Sequence, residues 1–455
     1  MKYFASPFLH TIVVSEEHVA LYNSLTLEVA FLEKSFLAQC RKGNEFISFD
    51  GESERIFSIL EEISLLNKEG DDGYGLFHSY RKALEKPSIN ILYLLLTDSC
   101  NFRCKYCYFL ANMDSSYHFS FMSEETAISA VDMFARCIQK SITEGHDDQQ
   151  IVIYGGEPTI NKKTLIAVLK YIVNIKHRGT LPSRVSITLN TNGTLLDEEI
   201  LNACKETNVV VAISIDGPKE IHDQMRVYTS GRGTFDDVVR NYRKARSLGV
   251  KTGLCVTIDK HNLFELQNIT HWISDDLKSK GVGFNILIDY KGDDSLSDRE
   301  KYTKIVASQI IKCFIIARDN GLYEDRMMRR VKNFVEKTPV LSDCGGCGLQ
   351  IVISPDGKIG VCQGFCGTKN FFVSESFETF NPEEHQYWKE WRKRSPLSME
   401  ECRECIALGN CGGGCPYNAF AEEGTIWALD KRFCIHAKTT TEFLIKDLWE
   451  KQKED

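Results

Sequence analysis

Seventeen cysteines are the chemically informative residues of this 455-residue chain, and eleven of them fall into tight groups. Cys100, Cys104 and Cys107 form C-x3-C-x2-C, and Cys344 and Cys347 form C-x2-C with Cys362 behind them. Cys402, Cys405, Cys411 and Cys415 form C-x2-C-x5-C-x3-C, and Cys434 follows. Disulfide-stapled secreted domains are usually short, whereas this chain is long and opens without a clean apolar stretch or small-residue cleavage site. Its thiols are therefore expected to stay reduced, and clustered reduced thiols bind metal. Three thiolates in an eight-residue loop suit one face of a four-iron cluster and leave one iron open. Zinc is the plainer alternative. A structural zinc site, however, wants four ligands and usually two close pairs, which the triplet alone does not supply.

The other six cysteines, at positions 40, 137, 204, 255, 313 and 366, are scattered, and most read as small buried hydrophobes. With 43% hydrophobic and 26% charged residues the chain has the composition of a folded protein. Its length is worth about three domains at about 150 residues each. The net charge of −8 argues against nonspecific nucleic-acid or anionic-membrane binding. A basic cluster at Arg326, Arg329, Arg330 and Lys332 reads as a solvated helix face. Apolar runs such as 91–96 are too short to span a bilayer, so a cytoplasmic protein with no membrane and no nucleic-acid partner is expected.

The elements that must position the thiols follow from periodicity. Residues 1–88 read as a small α+β unit, with short strands at 11–14, 19–24 and 27–32. A helical stripe follows at Ile56, Phe57, Ile59, Leu60, Ile63 and Leu66. Gly70-Asp71-Asp72-Gly73 breaks that stripe, and Pro87 marks a boundary. From Ile89 six apolar runs (89–96, 151–154, 185–189, 209–215, 252–258 and 282–288) alternate with amphipathic segments. An extra loop at 113–120 interrupts the first unit. Such alternation implies parallel strands, hence an α/β fold: a partial (β/α)6 barrel, or failing that an open doubly wound sheet. In either, catalytic residues belong at the C-terminal strand ends, where the triplet directly follows the first strand. The second strand ends in Gly155-Gly156-Glu157-Pro158, a turn beside a carboxylate suited to an ammonium group. The third carries Asn190, and the fourth runs Ser214-Ile215-Asp216-Gly217-Pro218 with Arg226 downstream. After about residue 340 cysteine-rich loops take over, apart from a hairpin near Pro355-Asp356-Gly357, and metal rather than an apolar core is expected to hold them.

Cys100-Asn101-Phe102-Arg103-Cys104-Lys105-Tyr106-Cys107, followed by Gly155-Gly156-Glu157-Pro158, resembles the radical S-adenosylmethionine (SAM) enzymes. The resemblance implies that the open iron is chelated by SAM, whose reductive cleavage yields a 5′-deoxyadenosyl radical that abstracts a substrate hydrogen. It also implies SAM contacts from Tyr106, Gly155, Gly156 and Glu157 at the methionine end. Asn190, Ser214 and Arg226 would add to the cofactor site, and Ile288 would pack near adenine.

The run Cys347-x9-Gly357-x4-Cys362, then Cys402-x2-Cys405-x5-Cys411-x3-Cys415, then Cys434, is similar to the SPASM extension of that family. With Cys344 it gives eight thiolates, enough for two further four-iron clusters and three in all. The family's interleaved pattern assigns Cys344, Cys347, Cys362 and Cys415 to one, and Cys402, Cys405, Cys411 and Cys434 to the other. Two four-thiolate zinc sites are the alternative, in a zinc-stabilised interaction module, because spacing alone does not choose the metal. An iron–sulfur electron carrier is a weaker reading, since carriers ligate their clusters fully. Cys366 is either a spare thiol or an alternative ligand to the first auxiliary cluster.

Residues 1–88 resemble the winged-helix-like elements that bind a leader peptide as an added strand. The implied organisation is such a unit at 1–88, the radical SAM core at 89–300, a helical bridge at 301–340, SPASM at 341–440 and a terminal helix or tail at 441–455. The implied activity is thioether crosslinking of a cysteine-containing precursor peptide, with a flavodoxin or ferredoxin as reductant. Carbon–carbon crosslinking and formylglycine formation are the competing chemistries. Sulfatase-maturing enzymes carry an Asp directly after the cysteine that closes the x9-Gly-x4 stretch. Here that position is Gln363, which cannot act as a base.

Overall fold

The computed structural model describes residues 2–86, 88–111, 118–139, 148–287 and 299–453. The N-terminal unit contains β1 (Lys2–Ala5), β2 (Leu9–Val13), β3 (His18–Asn23), β4 (Val29–Glu33), β5 (Arg41–Lys42), β6 (Glu45–Ile47) and β7 (Leu66–Lys68). Strands β2-β3-β4 form one antiparallel sheet, and β5-β6-β1-β7 another. The helix expected over 56–66 runs from Gly51 to Glu62 and stops there. Ser64 adopts φ 62°, which turns the chain so that Leu66 becomes the first residue of β7 rather than part of the helical stripe.

The central sheet takes up β8 (Ile91–Leu95), β9 (Gln150–Tyr154), β10 (Ser186–Thr191), β11 (Val210–Ser214), β12 (Lys251–Ile258) and β13 (Gly281–Ile286). Beyond them come β14 (Tyr323–Glu324), β15 (Gln350–Ile353), β16 (Ile359–Gly360) and β17 (Phe372–Val373). The order is β14-β13-β12-β11-β10-β9-β8-β15-β16-β17, with every pair from β14 to β15 parallel and the last two antiparallel. The six alternating units expected from periodicity are therefore present as parallel strands. Leu92, Ile153, Leu189, Ile213, Val256 and Phe284 bury one face of the sheet against the helices.

The opposite face is not filled. Tyr93, Tyr154, Asn190, Ser214, Cys255 and Thr257 stand on it half-buried, since successive side chains alternate between faces.

The hairpin near Pro355 forms as β15–β16, but β15 pairs with β8 and prolongs the central sheet past residue 341. The expectation that this region lacks an apolar core is corrected. Phe365, Phe371, Trp391, Tyr417 and Phe420 stack edge-on there with centroids 4.8–5.9 Å apart. The last helix, Lys431–Gln452, starts before position 441 and packs on the N-terminal sheet, where Ala20, Tyr22 and Leu27 meet Phe334, Leu444 and Ile445. Phe8, Leu25 and Phe77 meet Leu397, Met399, Cys402 and Leu408. At this seam the Gly409 amide donates to Ser24 O at 2.6 Å, and a Cβ on Gly409 would stand 2.7 Å from the Ser24 and Leu25 carbonyls. Among the described residues no helix is long and apolar enough to cross a membrane. The expected boundary at Pro87, most of the 113–120 loop and the end of the core at 288–298 lie outside the described residues.

Candidate active site

The loop that carries the thiol triplet leaves β8 at Thr97 and is fixed from two sides. On one side the amides of Gly156 and Glu157 donate to Thr97 O and Ser99 O, both at 2.8 Å. A Cβ on Gly155 would stand 2.2 Å from Thr97 O, and one on Gly156 2.3 Å from Ser99 O, so only glycine lets the two loops touch. On the other side the amides of Arg103 and Lys105 donate to Val227 O and Met225 O. Cys100, Cys104 and Cys107 are all half-buried within this clamp. Burial pushes Cys100 up to about 12 and Cys104 up to about 11, so both are protonated thiols until a metal displaces the proton.

Glu157 lies in the interior, and its carboxylate is already engaged. Oε1 accepts from the Thr159 amide and hydroxyl and from Thr191 Oγ1, and Oε2 accepts from the Asn192 amide. It ties the ends of β9 and β10 together and keeps little capacity for a further donor. Asn190 and Ser214 sit on the half-buried face of β10 and β11. Ile288 lies outside the described residues.

Arg226 and Tyr106 converge on a residue whose role periodicity could not show. Asp216 Oδ2 accepts from Arg226 Nε at 2.9 Å and from the Tyr106 hydroxyl, and Oδ1 accepts from the Thr257 amide at 3.0 Å. The pair is almost wholly buried, with side chains 9% and 2% exposed, and the guanidinium stacks on Tyr106 at 5.4 Å. The Asp216 amide in turn donates to His222 Nδ1, and the opposite ring nitrogen bonds Thr234 Oγ1, which donates to Arg226 O. That chain fixes His222 as the neutral tautomer protonated on Nε2. Burial lowers His222 from 6.5 to about 4. An unfolded chain protonates this ring as pH falls below about 6.5 and the folded one does not. Stability is therefore full above that pH and lost toward pH 4, by about 3 kcal/mol from this group. Urea midpoints between pH 4 and 7 should show the slope, and H222Q should flatten it.

The remaining clustered thiols are buried or half-buried and raise one another's proton affinity. Burial pushes Cys362 well up, with Cys415, Cys344 and Cys347 adding to the shift. Burial pushes Cys434 up to about 12, with Cys402 and Cys405 adding, and Cys411 feels Cys434 in turn. Cys366 feels neither set. Its charged neighbours are Lys369, Asp98 and Asp356. Within the described residues no set of three His, Cys, Asp or Glu side chains converges as on a single ion. A four-iron cube binds each thiolate at a separate corner, so its ligands stand further apart.

Two observations show that the surroundings fit anionic clusters. Arg394 is fully buried and donates to the backbone carbonyls of Gly413, Gly414, Ile426 and Ala428. It also lies beside thiols: burial takes Cys347 up to about 11 against the pull and hydrogen bond of this guanidinium, and burial and neighbouring thiols raise Cys402 to about 12 against the same charge. The buried hydroxyls of Tyr22 and Ser24 have no hydrogen-bond partner, and Tyr22 faces Cys405. Replacing Tyr22 by Phe should leave the metal-free chain as stable or up to about 1 kcal/mol more so, because an unsatisfied group is removed. The same change should speed iron loss from the loaded protein, followed by chelator challenge.

Residues 94–273 match the sequence profile of the Radical SAM superfamily. The radical SAM cyclopropyl synthase TigE of Paramaledivibacter caminithermalis is 23% identical over 435 residues, spanning 90% of this chain and 86% of that protein. The cysteine-type anaerobic sulfatase-maturating enzyme of Clostridium perfringens is 24% identical over 352 residues, or 72% of this chain and 89% of that one. A solved structure of tagged anSMEcpe with bound AdoMet shares the fold, with a TM-score of 0.67 at 20% identity over 81% of this chain and 96% of that one. Residues 94–273 are thus a radical SAM domain, and the chain as a whole fits a radical SAM peptide maturase.

Proposed function

We propose that this chain installs thioether crosslinks, from a cysteine sulfur to a carbon of another residue, in a ribosomally made precursor peptide. The observation that carries the reading is the set of three thiols in the loop clamp beside eight further clustered thiols. Cys100, Cys104 and Cys107 would hold the cluster with an open iron, and the other eight would saturate two more, in a partial (β/α)6 barrel with a SPASM extension. When bound, the clusters and SAM supply a hydrogen-abstracting radical and a store for the electron released. The chain's own part is to seat SAM against the clamp and to line the site in which a peptide is held out of water.

Formylglycine formation has support in the sulfatase-maturating relative. Against it, the residue after Cys362 is Gln363, whose side-chain oxygen accepts from Gln350 Nε2 at 3.0 Å and offers no base. The test is mass spectrometry of a cysteine-containing precursor peptide after anaerobic reaction. A thioether removes about two hydrogens per crosslink and leaves the sulfur blocked to alkylation, whereas formylglycine leaves an aldehyde that reacts with hydrazides.

A leader peptide would add to a free edge of the β2-β3-β4 sheet. Removing residues 1–88 would uncover Leu408 and Leu444, so the intact chain is the proper test. Proline at Val13 on β2 or at Ala30 on β4 should weaken peptide binding while SAM cleavage persists. Unchanged peptide affinity in both variants would refute the recognition role. A cytoplasmic enzyme reduced by flavodoxin or ferredoxin completes the reading.

A further inference from the structure

The basic cluster after β14 is only in part the solvated face that its spacing suggests, since Arg329 and Lys332 are exposed but Arg330 and Arg326 are not. Arg330 is buried, ion-paired to Asp343 at 3.1 Å and bonded to the carbonyls of Asn410 and Cys411. Arg326 points the other way, onto β13. Its Nε donates to Phe284 O at 2.7 Å and an Nη donates to Asn285 Oδ1 at 3.0 Å. Asn285 pairs in register with Thr257 of β12, and Thr257 Oγ1 accepts from Arg226 at 3.3 Å. The two guanidiniums are thus anchored on adjacent strands at one level of the sheet.

They differ in charge balance. Arg226 is neutralised by Asp216, whereas Arg326 has no carboxylate within ion-pair distance among the described residues, and both its bonds go to neutral oxygens. A guanidinium has five N–H donors in a planar fork, so about three of them stay free here. Arg329, one turn on, adds a second cation, ion-paired at 3.2 Å to the half-exposed Asp325. Cys255, on β12, feels both Arg226 and Arg326, and Arg329 reaches Cys344.

We propose that Arg326, assisted by Arg329, binds a carboxylate of the peptide being modified and so fixes which residue is presented to the radical. A half-buried fork with no carboxylate paired to it among the described residues is the geometry that two carboxylate oxygens satisfy. The carboxylate belongs to an Asp or Glu side chain or to the peptide C-terminus. The inference rests on the peptide-substrate reading above.

The experiment uses the full chain, anaerobically reconstituted with SAM, to select from random libraries of short cysteine-containing peptides, one with free and one with amidated C-termini. Wild type should enrich an acid at a fixed offset from the cysteine, or the free terminus. For a selected peptide, acid-to-amide replacement should weaken wild-type binding about tenfold to hundredfold. The same replacement should cost R326Q less than about twofold, and R326K, which keeps charge without the fork, should fall between them. Melting temperature and SAM affinity should be unchanged in both variants. Equal losses in wild type and R326Q would overturn the assignment, as would a loss of SAM rather than peptide binding in R326Q. If wild type retains peptides without any preference for an acid, the inference alone fails. If it retains no peptide at all, the peptide-substrate reading fails with it.

Discussion

Replacing Cys100, Cys104 and Cys107 together by alanine should abolish formation of 5′-deoxyadenosine and lower bound iron from about twelve to about eight per chain. The loop that bears them is held chiefly by the backbone of the Gly155-Gly156 turn and by the 225–227 segment, with only weak bonds to Cys100 Sγ. The variant should therefore keep its fold, losing about 1–2 kcal/mol for three half-buried sulfurs. Iron at the two C-terminal sets should survive, because none of their thiols depends on the triplet. Liquid chromatography of the nucleoside, with iron and sulfide assays on the same sample, reads both effects. A wild-type rate in the triple variant would sink the assignment.

Asp216→Ala should be the most damaging single change outside the cysteines. It strips the counter-charge from a guanidinium that is almost fully buried, which costs about 3–5 kcal/mol when one member of an interior ion pair is removed. It also frees the Tyr106 hydroxyl and the Thr257 amide, both satisfied by this one carboxylate. Asp216→Asn keeps the shape but turns an acceptor edge into a donor facing Arg226. It should fold yet bind SAM at least about tenfold more weakly, since Tyr106 and Arg226 lose their common anchor. Denaturant midpoints check the first result and equilibrium dialysis with SAM checks the second. A D216N protein with unchanged SAM affinity would show that the cluster of Asp216, Arg226 and Tyr106 serves packing alone.

The six central strands were legible because each offers alternate apolar residues to the helices, as Leu92 and Leu94 or Val211 and Ile213 do, between turns that periodicity can locate. The triplet loop was legible because Cys100, Cys104 and Cys107 are close in sequence and directly follow the first central strand. Asp216 was not, since its partners lie 10 and 110 positions away and nothing in Ser214-Ile215-Asp216-Gly217-Pro218 distinguishes an ion-pair acceptor from a turn residue. The pairing of β15 with β8 escaped for the same reason, its register being fixed across some 260 residues. Arg326 and Arg330 were misjudged because a helical period tells which residues share a face but not what that face meets. Here it meets Phe284 and Asn285 of β13 and the Asn410 carbonyl.

The seam between the N-terminal sheet and the last helix has a consequence for how the protein is made. Tyr22 is complete early in synthesis, while Leu444 and Ile445, which cover it, follow about 420 residues later. At roughly 5–20 residues per second the ribosome leaves the apolar side of β3 exposed for on the order of half a minute or more. The neighbouring cover, Leu408 and Met399, lies beside Cys402, Cys405 and Cys411. If those thiols hold a cluster as proposed, cells short of iron should accumulate the chain in inclusion bodies, with the uncovered strands held by other copies or by chaperones.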